Sequence, residues 1–172
     1  MKSDNNKWLK VFDSPNEIKK IVTNLPTQKR TVYTYGVWDL LHPGHIKLLM
    51  KARELGDYLI VGVVTDEPIR NLKGKNRPIQ KLQDRLFIVG SLSCVDAVLA
   101  QSKYDPTTEL LGIKRVDVLT KGDDWENIPG QNTIKKMGGE LIKLKYTPEF
   151  STSRIVTKIS GKKQNKHGEP KC

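Results

Sequence analysis

Thr31-Val32-Tyr33-Thr34-Tyr35-Gly36-Val37-Trp38-Asp39-Leu40-Leu41-His42-Pro43-Gly44-His45 is the stretch that decides the fold. Its first six residues are β-branched or aromatic and end on a glycine, which predicts a strand over Thr31–Gly36. From Gly44 to Leu55 the residues Ile46, Leu49 and Met50 share one side of a helix, and Gly56 stands where a C-cap belongs. Tyr58 to Val64 follows as a second strand, and its nearly continuous apolar run is what burial on both faces of a parallel sheet demands. Open parallel sheets take ligands beyond their strand C-termini, where helix N-termini present unpaired N–H groups to anions. His42 and His45 straddle that junction, so two of the chain's three histidines lie at the best phosphate position this topology offers.

Outward from this unit the alternation continues. Asp66 to Ile79 reads as a polar connection, Lys81 to Leu92 as a helix through Leu82, Leu86, Val89 and Leu92, and Val95 to Leu99 as a third strand. Thr107 to Leu111 is a short helix, Val116 to Thr120 a fourth strand, Gln131 to Met137 a helix stopped by Gly138-Gly139, and Leu141 to Leu144 a fifth strand. Thr152 to Ile159 closes the domain as a helix with Ser151 at its N-cap. The fold expected is α/β, a doubly wound and largely parallel five-stranded sheet of Rossmann-like type. Ahead of it, Asp13-Ser14-Pro15-Asn16-Glu17 opens one short amphipathic helix that ends at Pro26. The division expected is residues 1–30 as an extension, 31–160 as the domain and 161–172 as a disordered basic tail.

Thirty Lys and Arg against nineteen Asp and Glu give the 172 residues a formal charge of +11, of which four lysines and one glutamate belong to Gly161–Cys172. Without a basic helix repeat or a series of stacking aromatics, a small anionic substrate is favoured over nucleic acid. The longest apolar run, Leu59 to Val64, is far shorter than the roughly 20 residues that cross a bilayer. A polar amino terminus without an apolar signal core, and cysteines only at 94 and 172, make the cytoplasm the expected compartment.

His42 and His45 also fit a packed turn, and their spacing suits half a zinc site, although no persuasive third ligand accompanies them. Neither a Walker A loop nor a dinucleotide fingerprint is present. Gly36 through His45 resembles the GxFDxxHxGH signature of the cytidylyltransferase-like nucleotidyltransferases, with Trp38 where phenylalanine is usual. The resemblance runs from about Thr31 to Ile159, and is closest in character to the glycerol-3-phosphate cytidylyltransferases and to the adenylyltransferase domain that makes ADP-heptose. It implies a homodimeric, doubly wound domain that transfers a nucleotidyl group to a phosphomonoester and releases pyrophosphate, with Mg²⁺ held mainly by the triphosphate and no metal ligand assigned in the chain. It also implies that His42 and His45 contact the triphosphate, with His45 favoured for the α-phosphate and the transition state. Tyr35, Gly36, Val37, Asp39 and Gly44 then belong to the nucleotide site, Asp39 by holding its loop.

Four further places carry the resemblance. Lys73, Lys75 and Arg77 match a phosphate-binding segment whose LKGxxRP form belongs to the heptose branch, with Lys73 the stronger catalytic candidate; a solvated charge run is the plain alternative. Arg85, in the place of an E/H-R pair, is a phosphate or acceptor contact or a surface arginine. Gly122-Asp123-Asp124-Trp125 is similar to the GDDW string of the glycerol enzymes, and is otherwise a capped turn with a packed tryptophan. Ser151, Thr152 and Ser153 resemble the ISTT motif that binds phosphate, with Arg154 beside them, while Tyr146 and Glu149 replace its usual arginine and glycine. GDDW makes CTP with a glycerol-3-phosphate-like acceptor the leading expectation. ATP with a sugar phosphate such as heptose 1-phosphate is the alternative, and a non-catalytic nucleotide-binding protein the reading from another class.

Overall fold

The computed structural model describes residues 10–145 and 150–161. Its six strands, β1 (Val11–Phe12), β2 (Thr31–Gly36), β3 (Tyr58–Val64), β4 (Ala97–Gln101), β5 (Val118–Gly122) and β6 (Glu140–Leu144), lie in the order β1-β4-β3-β2-β5-β6. All five pairings are parallel. The connections are α1 (Pro15–Thr23), α2 (Pro43–Arg53), α3 (Asp66–Lys73), α4 (Leu82–Gly90), α5 (Thr107–Ile113), α6 (Gln131–Lys136) and α7 (Thr152–Ser160).

The sheet has six strands where five were expected. Val11–Phe12 pairs with Val98–Leu99 at the edge, and two residues are too few to display a period of two in the sequence. Asp66–Ile79 is not wholly a connection either, since α3 forms over its first eight residues and buries Ile69 alone. The register of β5 is displaced toward the C-terminus, which carries Lys121 and Gly122 into the sheet opposite Lys143 and Leu144.

Period-two alternation divides the core in two. Tyr33, Tyr35, Ile60, Leu99 and Leu119 face α1, α5 and α6 with Ile18, Val22, Leu110, Ile113 and Ile134. Val32, Val61, Val63, Val98 and Val118 face α2 and α4 with Leu49, Ala52, Leu86 and Val89. Ile18 and Val22 are fully buried, and Arg115 fastens the end of α1 by donating to the carbonyls of Val22, Leu25, Pro26 and Lys29. The chain winds from β2 through β3 to β4 on one side and continues at β5 on the other, so the switch point of the winding lies between β2 and β5. Of the expected tail, residues 161–172, all but Gly161 lie outside the described residues, as do the substituted positions Tyr146 and Glu149.

Candidate active site

At the end of β2 the backbone turns sharply, with positive φ at Trp38 (55°) and Leu40 (47°), and enters α2 at Pro43. Trp38 is 4% exposed and donates its indole N–H to the Gly62 carbonyl at 2.9 Å, so the ring that replaces phenylalanine is anchored to β3. His42 caps α2, its Nδ1 accepting from the His45 N–H at 3.4 Å. The two imidazoles stack at 3.7 Å between centroids, and Trp38 meets His45 edge-on at 5.4 Å. Gly44 makes this possible, because a Cβ there would stand 3.1 Å from the His42 ring and 3.1 Å from Cβ of Phe150.

Burial, then the neighbouring His42 and the charges of Lys73 and Lys121, push the His45 pKa down from 6.5 to about 3. Burial lowers His42 as well. Both rings are therefore neutral near pH 7 and offer one N–H each. His45 Nδ1 is buried with no hydrogen-bond partner among the described residues, a polar atom left for a ligand.

The loop carrying the histidines is braced from below. Asp39 is 3% exposed and accepts from the Ile79 and Gln80 N–H groups, both at 2.9 Å, with Arg77 Nη1 at 3.7 Å. Gln80 returns the contact by accepting from the Leu40 N–H at 2.7 Å. Arg85 is fully buried: its guanidinium donates to the carbonyls of Val37, Val64 and Gln80 and to Asp66 Oδ1 at 2.6 Å. The structure thus places Arg85 beneath the loop, with its guanidinium engaged by protein acceptors. Lys73 ends α3 and is exposed, yet its field reaches His45; Lys75 is exposed beyond Gly74.

Across the switch point, Lys121 is 7% exposed, donates to the Tyr35 carbonyl at 2.7 Å, and lies 3.9 Å over the Tyr35 ring and 4.8 Å over the Trp125 ring. The sequence pattern ends the strand at Thr120 and so assigns this lysine no role; a cation at the C-terminal end of an apolar strand is the signal that marks it. Gly122 ends β5, the Asp123 N–H donates to the Leu144 carbonyl at 2.8 Å, and Asp123 and Asp124 are exposed. At α7, Ser151 Oγ accepts from the Arg154 N–H at 3.2 Å, and Thr152 donates its hydroxyl to the Asp39 carbonyl at 2.8 Å. Ser153 and Arg154 are exposed on the first turn. The fold accordingly brings together the ends of β2 and β5 and the entrances of α2 and α7, joined by Asp39.

Among the described residues no group of three or more His, Cys, Asp or Glu could hold a metal ion, and both oxygens of Asp39 are engaged by backbone N–H groups. Nor is any described helix long and apolar enough to cross a membrane.

Residues 33–158 match the family described as cytidylyltransferase-like. The chain is 41% identical over 135 residues to the bifunctional protein HldE of Citrifermentans bemidjiense, a match covering 76% of this chain and 27% of that one. It is 45% identical over 129 residues to the bifunctional protein HldE of Nitrosococcus oceani, covering 73% and 27%. The chain thus spans about a quarter of the length of these relatives. Among solved structures, the lipopolysaccharide core biosynthesis protein of Thermoplasma volcanium superposes with a TM-score of 0.61 at 31% identity, covering 69% of this chain and 98% of that one.

Proposed function

The chain belongs to the cytidylyltransferase-like family and is a nucleotidyltransferase; from that premise we propose that it transfers AMP from ATP to a sugar phosphate of the heptose 1-phosphate kind, forming an ADP-sugar and pyrophosphate. The preference for ATP revises the CTP expectation drawn from GDDW. Relatives named HldE at 41% and 45% identity, with the LKGxxRP likeness of Leu72–Pro78 to the ADP-heptose-forming branch, outweigh one four-residue string.

In this mechanism an oxygen of the acceptor phosphate attacks the α-phosphorus, the bond from that phosphorus to the bridging oxygen breaks, and pyrophosphate leaves with the electron pair. A phosphate oxygen is nucleophilic enough to need no protein base, so the protein contributes position and charge. His45 donates an N–H to the α-phosphate where charge develops, and His42 holds both the stacked ring and the α2 entrance. Lys121 and Lys73 supply positive charge from either side of β2, with Lys75 and Arg77 beyond Lys73. Arg85 and Asp39 act as positioning residues beneath the loop. Ser151, Thr152 and Ser153 receive the distal phosphates at the α7 entrance, and Gly122 to Trp125 border the base and ribose. Mg²⁺ enters on the triphosphate as part of the substrate. Assembly as a homodimer belongs to the same proposal.

The observation that carries the reading is the His42–His45 pair stacked at a helix entrance, with a buried ring nitrogen of His45 left without a partner among the described residues. The test is a pyrophosphate-release screen crossing ATP, CTP, GTP and UTP with heptose 1-phosphate, glucose 1-phosphate and glycerol 3-phosphate. ATP with heptose 1-phosphate is expected to be fastest. Fastest turnover of CTP with glycerol 3-phosphate would restore the cytidylyltransferase reading, and nucleotide binding without pyrophosphate from any pair would favour a sensor.

A further inference from the structure

Trp38 is held on three sides. Its indole N–H donates to the Gly62 carbonyl at 2.9 Å, and its ring meets the His45 imidazole at 5.4 Å between centroids and 71° between planes. Its six-membered ring also lies against Gly36, where a Cβ would stand 3.0 Å from Cε2 and 3.1 Å from Cζ2. The Trp38 backbone has φ 55°, a left-handed conformation that a bulky residue seldom adopts. Such strain persists where the surroundings over-determine it, and here they converge on one buried ring.

The tether ends inside the sheet. Gly62 belongs to β3 and is paired with Tyr35 of β2 and Leu99 of β4. On the opposite face from Trp38, Tyr33 Oη and Gln101 Oε1 occupy the space where a Gly62 Cβ would stand, and Tyr33 donates to Gln101 at 2.8 Å. Gln101 donates in turn to the Lys103 carbonyl at 2.7 Å, so the acceptor of the indole sits on a locked segment. A phenylalanine at position 38 would bring no donor to it. At the other end, the His45 ring makes no hydrogen bond to another described residue, and its buried Nδ1 is without a partner among them. Two rings set its plane: His42 stacks on it at 3.7 Å and 17°, and Trp38 closes from the side.

We infer that Trp38 is a positioning residue for nucleotidyl transfer: its indole, tethered to the Gly62 carbonyl, fixes the His45 imidazole in the orientation from which the ring meets the α-phosphate. The inference rests on the proposed use of His45 at that phosphate. It adds that the precision of this contact comes from a ring two strands deep in the sheet's hydrogen-bonding, through an N–H that the usual phenylalanine lacks.

The test is a double-mutant cycle on the full chain, pairing Trp38→Leu and Trp38→Phe with His45→Ala and reading pyrophosphate release with the fastest substrate pair of the screen. Trp38→Leu is expected to lower kcat about tenfold and to change the nucleotide KM by less than about twofold, since a misplaced group is felt in the chemical step. Trp38→Phe keeps a ring but loses the tether, and should lower kcat about threefold, the lower range for one neutral hydrogen bond. In a His45→Ala background, Trp38→Leu should change kcat by less than about twofold, because the group it positions is gone. Ring-nitrogen NMR reads the same contact without turnover: ATP should shift a His45 ring resonance in the parent, and shift it less in Trp38→Leu. Equal losses with and without His45 overturn the inference and leave Trp38 a packing residue; so does a parent-like kcat in a folded Trp38→Leu, or an ATP response as large as the parent's. A parent-like kcat in Trp38→Phe overturns the role of the tether. Should Trp38→Leu not fold, Trp38→Phe carries the cycle. If no pair releases pyrophosphate while ATP shifts the parent's His45 resonance and shifts it less in the variants, the positioning stands and the proposed reaction falls. No ATP response in the parent overturns the inference together with His45's place at the phosphate.

Discussion

Two helix entrances meet at this site, and they are built alike but held differently. At α2 the His42 ring accepts from the N–H three residues on, and at α7 the Ser151 hydroxyl does the same. The α2 entrance continues directly from the central strand, buries Leu49 and Ala52, and sits on the brace made by Asp39, Gln80 and Arg85. No residue of α7 is buried, and its tie to the loop is the Thr152 hydroxyl on the Asp39 carbonyl. The same cap is therefore packed from beneath at α2 and left without buried residues at α7. Substitutions on the α2 side should act on kcat and stability, and those on the α7 side on nucleotide KM.

The most severe way to break the contrast is to remove the brace. Arg85→Met takes the buried guanidinium from three carbonyls and leaves Asp66 with Arg70 as its remaining cation, and should cost about 3 kcal/mol of stability, read as a lower urea midpoint. A variant as stable as the parent would show that the loop supports itself. His45→Ala should lower kcat by about 10²-fold in a protein that still melts cooperatively, because the lost donor acts where charge develops. An increase in ATP KM with kcat intact would instead make both entrances simple binding sites.

On the other entrance, Thr152→Val removes one hydrogen bond of about 1 kcal/mol and should raise the nucleotide KM about fivefold with little change in kcat. A fall in kcat equal to that of His45→Ala would erase the distinction. The mildest test is pH. With its folded-state pKa pushed down to about 3, His45 stays neutral while the unfolded chain takes up a proton below 6.5. Its contribution is therefore whole above pH 6.5 and is lost as pH falls toward 3. Melting curves from pH 8 to 5 should decline more in the parent than in His45→Gln, and the His45 ring should remain neutral at pH 5 by NMR; parallel declines would mean the ring titrates normally.

Much of this was legible without coordinates because local pattern carried it. The β2–α2–β3 unit and the histidines at its turn depend on near neighbours in the chain. The heptose-like segment and the hydroxyls of Ser151–Ser153 were likewise found by motif. Other features resisted for specific reasons. β1 has two residues, and α3 contains Pro68 and buries one side chain, so neither shows a period. Lys121 looked like a loop residue because its burial depends on Tyr35 and Trp125, 86 positions before it in one case by hydrogen bond. Arg85 fits a surface or a phosphate arginine equally in the sequence, since three of its four acceptors, on Val37, Val64 and Asp66, lie 19 to 48 residues away.

What the sequence by itself determined was therefore the succession of strands and helices apart from β1 and α3, the parallel winding, and the place of two histidines at a helix entrance, all set by periodicity, turn residues and side-chain type. Only the tertiary structure decided which cations face the site, which are engaged beneath it, and that His45 is neutral with one ring nitrogen awaiting a partner. Those properties arise from burial and from groups distant in the chain, and desolvation and hydrogen-bond partnership are quantities that no local pattern of residues contains.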